Sequence, residues 1–220
     1  MIALDYRAME QTPIGTDPFP HLLVPEFVPP ASLPDVFAGL PDIRKGGSFP
    51  IEALRLSGAG SALTAELQGA RFRSIVAARF GLDLSDAPTM LTLRGQSRDK
   101  DGQIHRDSDS KRVTVLLYLN PPGAQWDRQD GCLRLLRGPD RLDDYAVEVP
   151  PTSGALLVFP NGPNTWHGHK TFVGPRTVFQ LNYMTNDHAA RSELRRHRVS
   201  ALLKGKGFFF EKKRQKTSVN

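Results

Sequence analysis

The chain has 220 residues, of which 39% are hydrophobic, enough for a sizeable core in one domain, so a folded protein is expected and a disordered one excluded. Its single cysteine, Cys132, excludes an intramolecular disulfide framework and a cysteine-built zinc site, so any metal must be held by histidine and carboxylate. The net charge of +6 is unevenly placed: from Arg191 onward ten Lys/Arg face two acids, whereas residues 1–190 carry 19 bases and 21 acids, a nearly neutral body with a basic tail.

The opening residues MIALDYRAMEQ lack the charged start and apolar stretch of a secretory signal, and no apolar run is long enough to span a bilayer. A cytoplasmic location is therefore expected. PFPHLLVPEFVPP (18–30) reads as a short extended segment punctuated by prolines. A brief helix should follow, capped by Ser32, with Pro34 in its first turn, Leu33, Val36, Phe37 and Leu40 on one face, and Pro41 as its stop. Over 61–80 the spacing of Phe72, Ile75, Val76 and Phe80 predicts a longer helix. From about residue 89 the pattern turns to strands: MLTLRG (90–95), RVTVLLYLN (112–120), GCLRLLRG (131–138), GALLVFP (154–160) and RTVFQLNYM (176–184). SRDKDGQ, NPPGAQWDRQDG, RGPD and PNGPN break them apart. Cys132 sits in the apolar run CLRLL and reads as a buried structural thiol. A last helix is expected from about Asp187 to Lys204, ended by Gly205, with GFFFEKKRQKTSVN as a mobile tail. Helices first and strands later fit a mainly β (α+β) sandwich or barrel buttressed by N-terminal helices.

GQIHRDSDSKRVTVLLYLN is the most informative stretch. His105 and Asp107 flank one residue, so on extended chain both side chains project to one face and can take two adjacent positions on a metal. A second histidine from a distant strand would complete a facial triad and leave positions open for a bidentate co-substrate and dioxygen, a donor set that suits Fe(II). Alone, H-x-D is a pattern that chance supplies easily, and an exposed turn explains HRDSDS equally well. FPNGPNTWHGHKTFVGPRTVFQLNYM, whose His167 lies sixty residues after Asp107, offers a strand, a turn, a histidine, and an arginine opening another strand. Binding a dicarboxylate beside a metal needs that order of parts.

His105-Arg106-Asp107, then Tyr118-Leu119-Asn120, then Gly131-Cys132-Leu133-Arg134, then His167, then Arg176 follow one another in this sequence. In order and spacing this resembles the prolyl-4-hydroxylase-like group of the 2-oxoglutarate/Fe(II)-dependent oxygenases, and PFPHLLVPEFVPP is similar to that group's opening segment. The resemblance covers about residues 18–184; Cys132 stands where the group has a second glycine. It implies a double-stranded β-helix (jelly roll) with N-terminal supporting helices and a C-terminal helix. It also implies Fe(II) held by His105, Asp107 and His167, and 2-oxoglutarate held by Arg176 and Tyr118. A planar guanidinium matches the far carboxylate with two parallel hydrogen bonds, and the Tyr118 hydroxyl would donate to the same group. His169 competes with His167 as the distal ligand; the spacing to Arg176 favours His167. Gln180 and Asn182 alternate with Arg176 and should share its face toward the pocket.

The implied reaction is hydroxylation of a substrate C–H bond using O2, with succinate and CO2 released and ascorbate admissible as reductant. An acidic ligand at Asp107 argues against the halogenating branch. The expected organisation is an oxygenase domain over 1–190, with helical support at about 30–82 and the jelly roll at about 88–185, followed by a basic helix and tail over 191–220. The substrate is a protein side chain such as proline, or a small metabolite. The loop 94–103 serves as a lid or as a solvated turn, and Trp126 in the loop 120–131 is available for contact. The basic tail is a solvated face, or it attracts an acidic partner, nucleic acid or an anionic surface. The alternative to an enzyme is a non-catalytic jelly roll that binds through this tail; a cupin-like enzyme without 2-oxoglutarate is a third reading, against which Arg176 argues.

Overall fold

The structure, a computed structural model, describes residues 2–217 except 122, 124, 125, 127 and 153; in the last helix it describes side chains through 201 and at 203. The N-terminal part carries helices α1 (Tyr6–Gln11), α2 (Leu33–Ala38), α3 (Gly58–Gln68) and α4 (Ala70–Phe80), with two short strands, β1 (Leu22–Val24) and β2 (Phe49–Pro50). Then come β3 (Thr89–Ser97), β4 (Lys111–Tyr118), β5 (Leu133–Leu136), β6 (Tyr145–Val149), β7 (Leu156–Pro160), β8 (His167–Gly168) and β9 (Gly174–Met184), and finally α5 (His188–Thr217). No helix among the described residues is long and apolar enough to cross a membrane.

The strands form a six-stranded sheet, ordered β1-β7-β4-β9-β3-β2, and a three-stranded sheet, β6-β5-β8, with every pairing antiparallel. An isolated bridge between His105 and His167 adds the chain around His105 to the free edge of the smaller sheet. The period of two sorts each long strand onto two faces. Val113, Val115 and Leu117 of β4, Leu91 and Leu93 of β3, and Phe179, Leu181 and Tyr183 of β9 pack with Leu63, Leu67, Phe72 and Val76 of the helices. The alternate positions look inward: Tyr118 and Val178 join Leu133, Leu135, Leu157 and Phe159 in a second core between the sheets. Thr92, Arg94, Thr114, Arg176, Gln180 and Asn182 fall on this inward face too, and they make the interior polar at one end.

Several expectations need revision. The helix expected over 61–80 is two helices, because the chain turns extended at Gly69 (φ −72°, ψ 160°), which closes α3 and opens α4. Ser32 precedes α2 but its side chain makes no capping bond, and α2 ends at Ala38. The last helix does not stop at Gly205: α5 continues to Thr217. A glycine in a helix interior costs only about 1 kcal/mol, so Gly205 and Gly207 weaken the helix without ending it. Its start does match, since Asp187 Oδ1 accepts a hydrogen bond from the Ala190 N–H at 2.8 Å. Farther along α5, Glu193 accepts hydrogen bonds from the hydroxyls of Ser110 (2.5 Å) and Ser108 (3.4 Å).

Candidate metal centre

His105 and His167 face each other across the bridge and exchange both backbone hydrogen bonds, His105 N–H to His167 O at 3.0 Å and the reverse at 2.9 Å. This fixes the two imidazoles with ring centroids 4.3 Å apart. Two residues on, Asp107 turns inward and is buried, so that ligand atoms of His105, Asp107 and His167 all lie within 4.8 Å of one another. Among the described residues this is the only such group. His169 stands outside it, buried beside the same cavity, with Nδ1 2.8 Å from Lys170 O.

Protonation favours cation binding. His105 Nδ1 lies 2.9 Å from Gln103 O, and His167 Nδ1 lies 2.9 Å from Thr165 O. A carbonyl only accepts, so each Nδ1 carries a proton, and it is Nε2 of each ring that faces a cation. Burial, with the nearby His105, pushes the His167 pKa down to about 4, which keeps that ring neutral. Burial opposes the charge on Asp107, but Lys111, His167 and hydrogen bonds from Lys111 and Thr114 outweigh it and hold the carboxyl below its usual range. Lys111 Nζ donates to Asp107 Oδ1 at 2.6 Å and Thr114 Oγ1 donates to Oδ2 at 2.5 Å. Two imidazoles and one ionised carboxylate, converging without a cysteine, fit a divalent transition metal with open positions.

A cavity of about 260 Å³ opens onto the two histidines. At its far end Arg176 is buried, and its Nε donates to Gly131 O at 2.9 Å. The guanidinium sits 5.4 Å from the centre of the Tyr118 ring. Tyr118 is fully buried, and among the described residues its hydroxyl makes no hydrogen bond of good geometry, the nearby Arg176 guanidinium included. Burial pushes that hydroxyl up to about 12 against the opposing charge of Arg176, so it stays a donor at neutral pH. A buried, orphaned donor beside a buried cation fits a carboxylate arriving from solution. Burial, reinforced by Arg176, likewise lowers the His169 pKa to about 4.

Gln180 lines the cavity as its alternation with Arg176 predicts; Asn182 lies deeper, with Oδ1 3.2 Å from Thr114 Oγ1. The loop before His105 is tied down at several points. Asp101 takes three hydrogen bonds from Arg98, and Gly102 O accepts from the His169 N–H at 3.0 Å. Gly102 has φ +96°, and a Cβ there would stand 2.5 Å from His169 Nδ1, so glycine is required on both counts. Trp126 is not offered to a ligand. It is buried against Phe172, centroids 4.9 Å apart, and its Nε1 donates to Pro121 O at 3.2 Å. Arg94, read in the sequence only as part of a strand, lines the cavity as a second guanidinium. The signal was available: Thr92 and Arg94 alternate with Leu91, Leu93 and Gly95 along β3 and so share one face, until a bulge after Arg94 shifts the register.

Residues 94–184 match the profile of the 2OG-Fe(II) oxygenase superfamily. No curated protein sequence matches the chain. Among solved structures, a prolyl 4-hydroxylase from Phytophthora capsici is 14% identical, with 86% of this chain and 68% of that one covered at a TM-score of 0.54. The viral collagen prolyl hydroxylase of Paramecium Bursaria Chlorella virus-1, in its 2OG complex, is 10% identical, with 75% and 96% covered at a TM-score of 0.51. EvdO2 from Micromonospora carbonacea var. aurantiaca is 13% identical, with 85% and 96% covered at a TM-score of 0.50. At these identities the likeness establishes the shared jelly-roll fold.

Proposed function

We propose, from the match of residues 94–184 to the 2OG-Fe(II) oxygenase superfamily, that the chain hydroxylates a C–H bond of a primary substrate, with His105, Asp107 and His167 holding the iron and Arg176 and Tyr118 holding 2-oxoglutarate. Bound iron with 2-oxoglutarate and O2 supplies the oxidation, in which the co-substrate leaves as succinate and CO2 and one oxygen atom enters the substrate. The observation that carries the assignment is a single cavity joining the convergent His-Asp-His set to a buried arginine and an orphaned buried tyrosine hydroxyl.

Each side chain has a separable task. The carbonyls of Gln103 and Thr165 hold both imidazoles in the tautomer that presents Nε2. Thr114 orients the Asp107 carboxylate through Oδ2. Gly131 O fixes Nε of Arg176, leaving the terminal nitrogens for the far carboxylate of 2-oxoglutarate, and Tyr118 donates to the same group. The apolar wall of Leu116, Leu133 and Val178 keeps water from the stem of the co-substrate. The primary substrate approaches from the His105 side, where the group is exposed, and is a protein side chain such as proline or a small metabolite.

Anaerobic titration with Fe(II) and 2-oxoglutarate tests this, read by the weak visible charge-transfer band of the chelate. The parent should develop the band, whereas Asp107→Ala and His167→Ala should not. A band of undiminished strength in both variants removes the ligand assignment.

A further inference from the structure

The cavity holds more positive charge than the co-substrate uses. Three cationic side chains line it: Arg94, Lys100 and Arg176. One lining acid is available, Asp101, and its carboxylate is engaged by Arg98, with Oδ1 3.0 Å from Nη2 and Oδ2 accepting from both Nε and the backbone N–H. Arg94 has an uncharged partner, Nε donating to Ser48 Oγ at 2.8 Å, and the described residues give it no ion pair. Its place is set by the sheet: Arg94 is paired with Val178 of β9, on the inward face between Arg176 and Gln180. The outward position beside it is taken by Gly95, where a Cβ would stand 2.6 Å from the Ile43 Cβ and carbonyl oxygen, so this strand is packed too tightly to present its other face.

Both carboxylates of 2-oxoglutarate are accounted for under the reading above, one at the metal and one at Arg176. Asp101 acts on Arg94 only at a distance, its carboxylate being bonded to Arg98, so this largely buried guanidinium has no ion-pair partner among the described residues, and charges in such places are normally paired. We propose that Arg94 is a specificity-determining residue that pairs with an oxyanion, a carboxylate or phosphate, on the primary substrate, which is therefore an anionic molecule. This rests on the oxygenase reading and narrows its substrate class. The rigid guanidinium fork, braced at Nε by Ser48, offers its terminal nitrogens for two parallel hydrogen bonds to such a group. Lys100, on the loop side of the cavity, adds a second positive charge at longer reach.

The test uses the full chain loaded anaerobically with Mn(II) in place of iron and saturated with 2-oxoglutarate, then titrated with inorganic phosphate or, in a second arm, acetate. Mn(II) broadens the phosphate ³¹P or acetate methyl ¹H line only for anions held close to the metal. The parent should give saturable broadening with at least one of the two anions, and the stronger one identifies the oxyanion. Arg94→Gln should move the midpoint upward about ten-fold or more, and Arg94→Lys by a smaller factor, since the charge remains and the fork is lost. The affinity for 2-oxoglutarate should stay within about two-fold in both variants, which also reports that they are folded. Non-saturable broadening in the parent, or an Arg94→Gln curve that overlays it, overturns the proposal. So does an Arg94→Gln variant that weakens 2-oxoglutarate as much as Arg176→Gln does, because Arg94 then belongs to the co-substrate. A parent that fails to bind Mn(II) or 2-oxoglutarate sinks the oxygenase reading itself, and this is seen before any anion is added.

Discussion

Replacing Tyr118 with phenylalanine should change stability and co-substrate affinity in opposite directions. Among the described residues the buried Tyr118 hydroxyl has no well-aligned hydrogen-bond partner. Such a group carries a desolvation penalty of about 1–3 kcal/mol, and its removal leaves the ring packing against Leu133 and Val178 untouched. The gain should be about 1–2 kcal/mol once the small void is counted, or roughly 2–6 °C in Tm for a domain of this size. Under the proposed assignment the hydroxyl donates to a carboxylate once 2-oxoglutarate is bound, a hydrogen bond worth about 1.5–3 kcal/mol. Tyr118→Phe should therefore weaken 2-oxoglutarate roughly ten- to one-hundred-fold. Calorimetric unfolding of the metal-free protein gives the first quantity, and anaerobic titration of the Mn(II)-loaded protein the second. A variant less stable than the parent, with unchanged 2-oxoglutarate affinity, would refute the reasoning, because it would show a hydroxyl satisfied within the protein and unused by the co-substrate.

Thr114→Val removes the donor to Asp107 Oδ2 while keeping the side-chain shape, and metal affinity should fall about ten- to one-hundred-fold in competition with a chelator. Arg134 is buried and binds Glu148 (2.7 Å), Asp143 (2.7 Å) and Leu142 O (3.1 Å), so Arg134→Met should destabilise by about 3–5 kcal/mol in denaturant unfolding; Arg134→Lys should recover only part of this. Burial pushes the Cys132 thiol up to about 11, so iodoacetamide at pH 8 should alkylate it no faster than the chain unfolds. Because its folded pKa is raised above the usual 9.0, this thiol favours the folded state below pH 9, and the contribution is lost as pH rises toward 11. A Cys132→Ala variant should show a shallower loss of stability over that interval. Gly102→Ala should distort the loop that leads into His105 and weaken the metal site, read by the same chelator competition.

The parts of the molecule with a strong period were legible in the sequence. Five strands overlap the stretches read as strands, and the order of motifs behind the family resemblance brought His105, Asp107, His167 and Arg176 into one region. Elements defined by their neighbours were not legible. β8 is two residues long and exists because His167 meets Leu135 and His105; β6, YAVEV, is an edge strand whose burial is too partial to leave a clear pattern. Trp126 illustrates a different failure. In a loop rich in Pro and Gly an aromatic looks available for contact, and only the position of Phe172, far along the chain, shows that it is covered. The basic end was legible as charge but not as shape, because a glycine is a weak stop when helix-forming residues continue beyond it. Arg94 was overlooked because alternation was applied to β9 and not to its neighbour β3, although the two are paired from Thr89 to Ser97.

The three metal-binding candidates differ in exposure: Asp107 and His167 are 5% and 4% exposed, whereas His105 is open to solvent. Under the proposed assignment, affinity and exchange should be governed by different residues. The buried pair, held by Thr114 and by the bridge to the neighbouring strand, sets how tightly a cation is kept. The open histidine sets how fast one is traded for another, because water or a chelator can attack only from its side. Substitution at His105 should accelerate metal release more than its effect on equilibrium binding suggests, and stopped-flow exchange would separate the two. Under that proposal two buried contacts define the seat, and the exposed His105 marks its entrance.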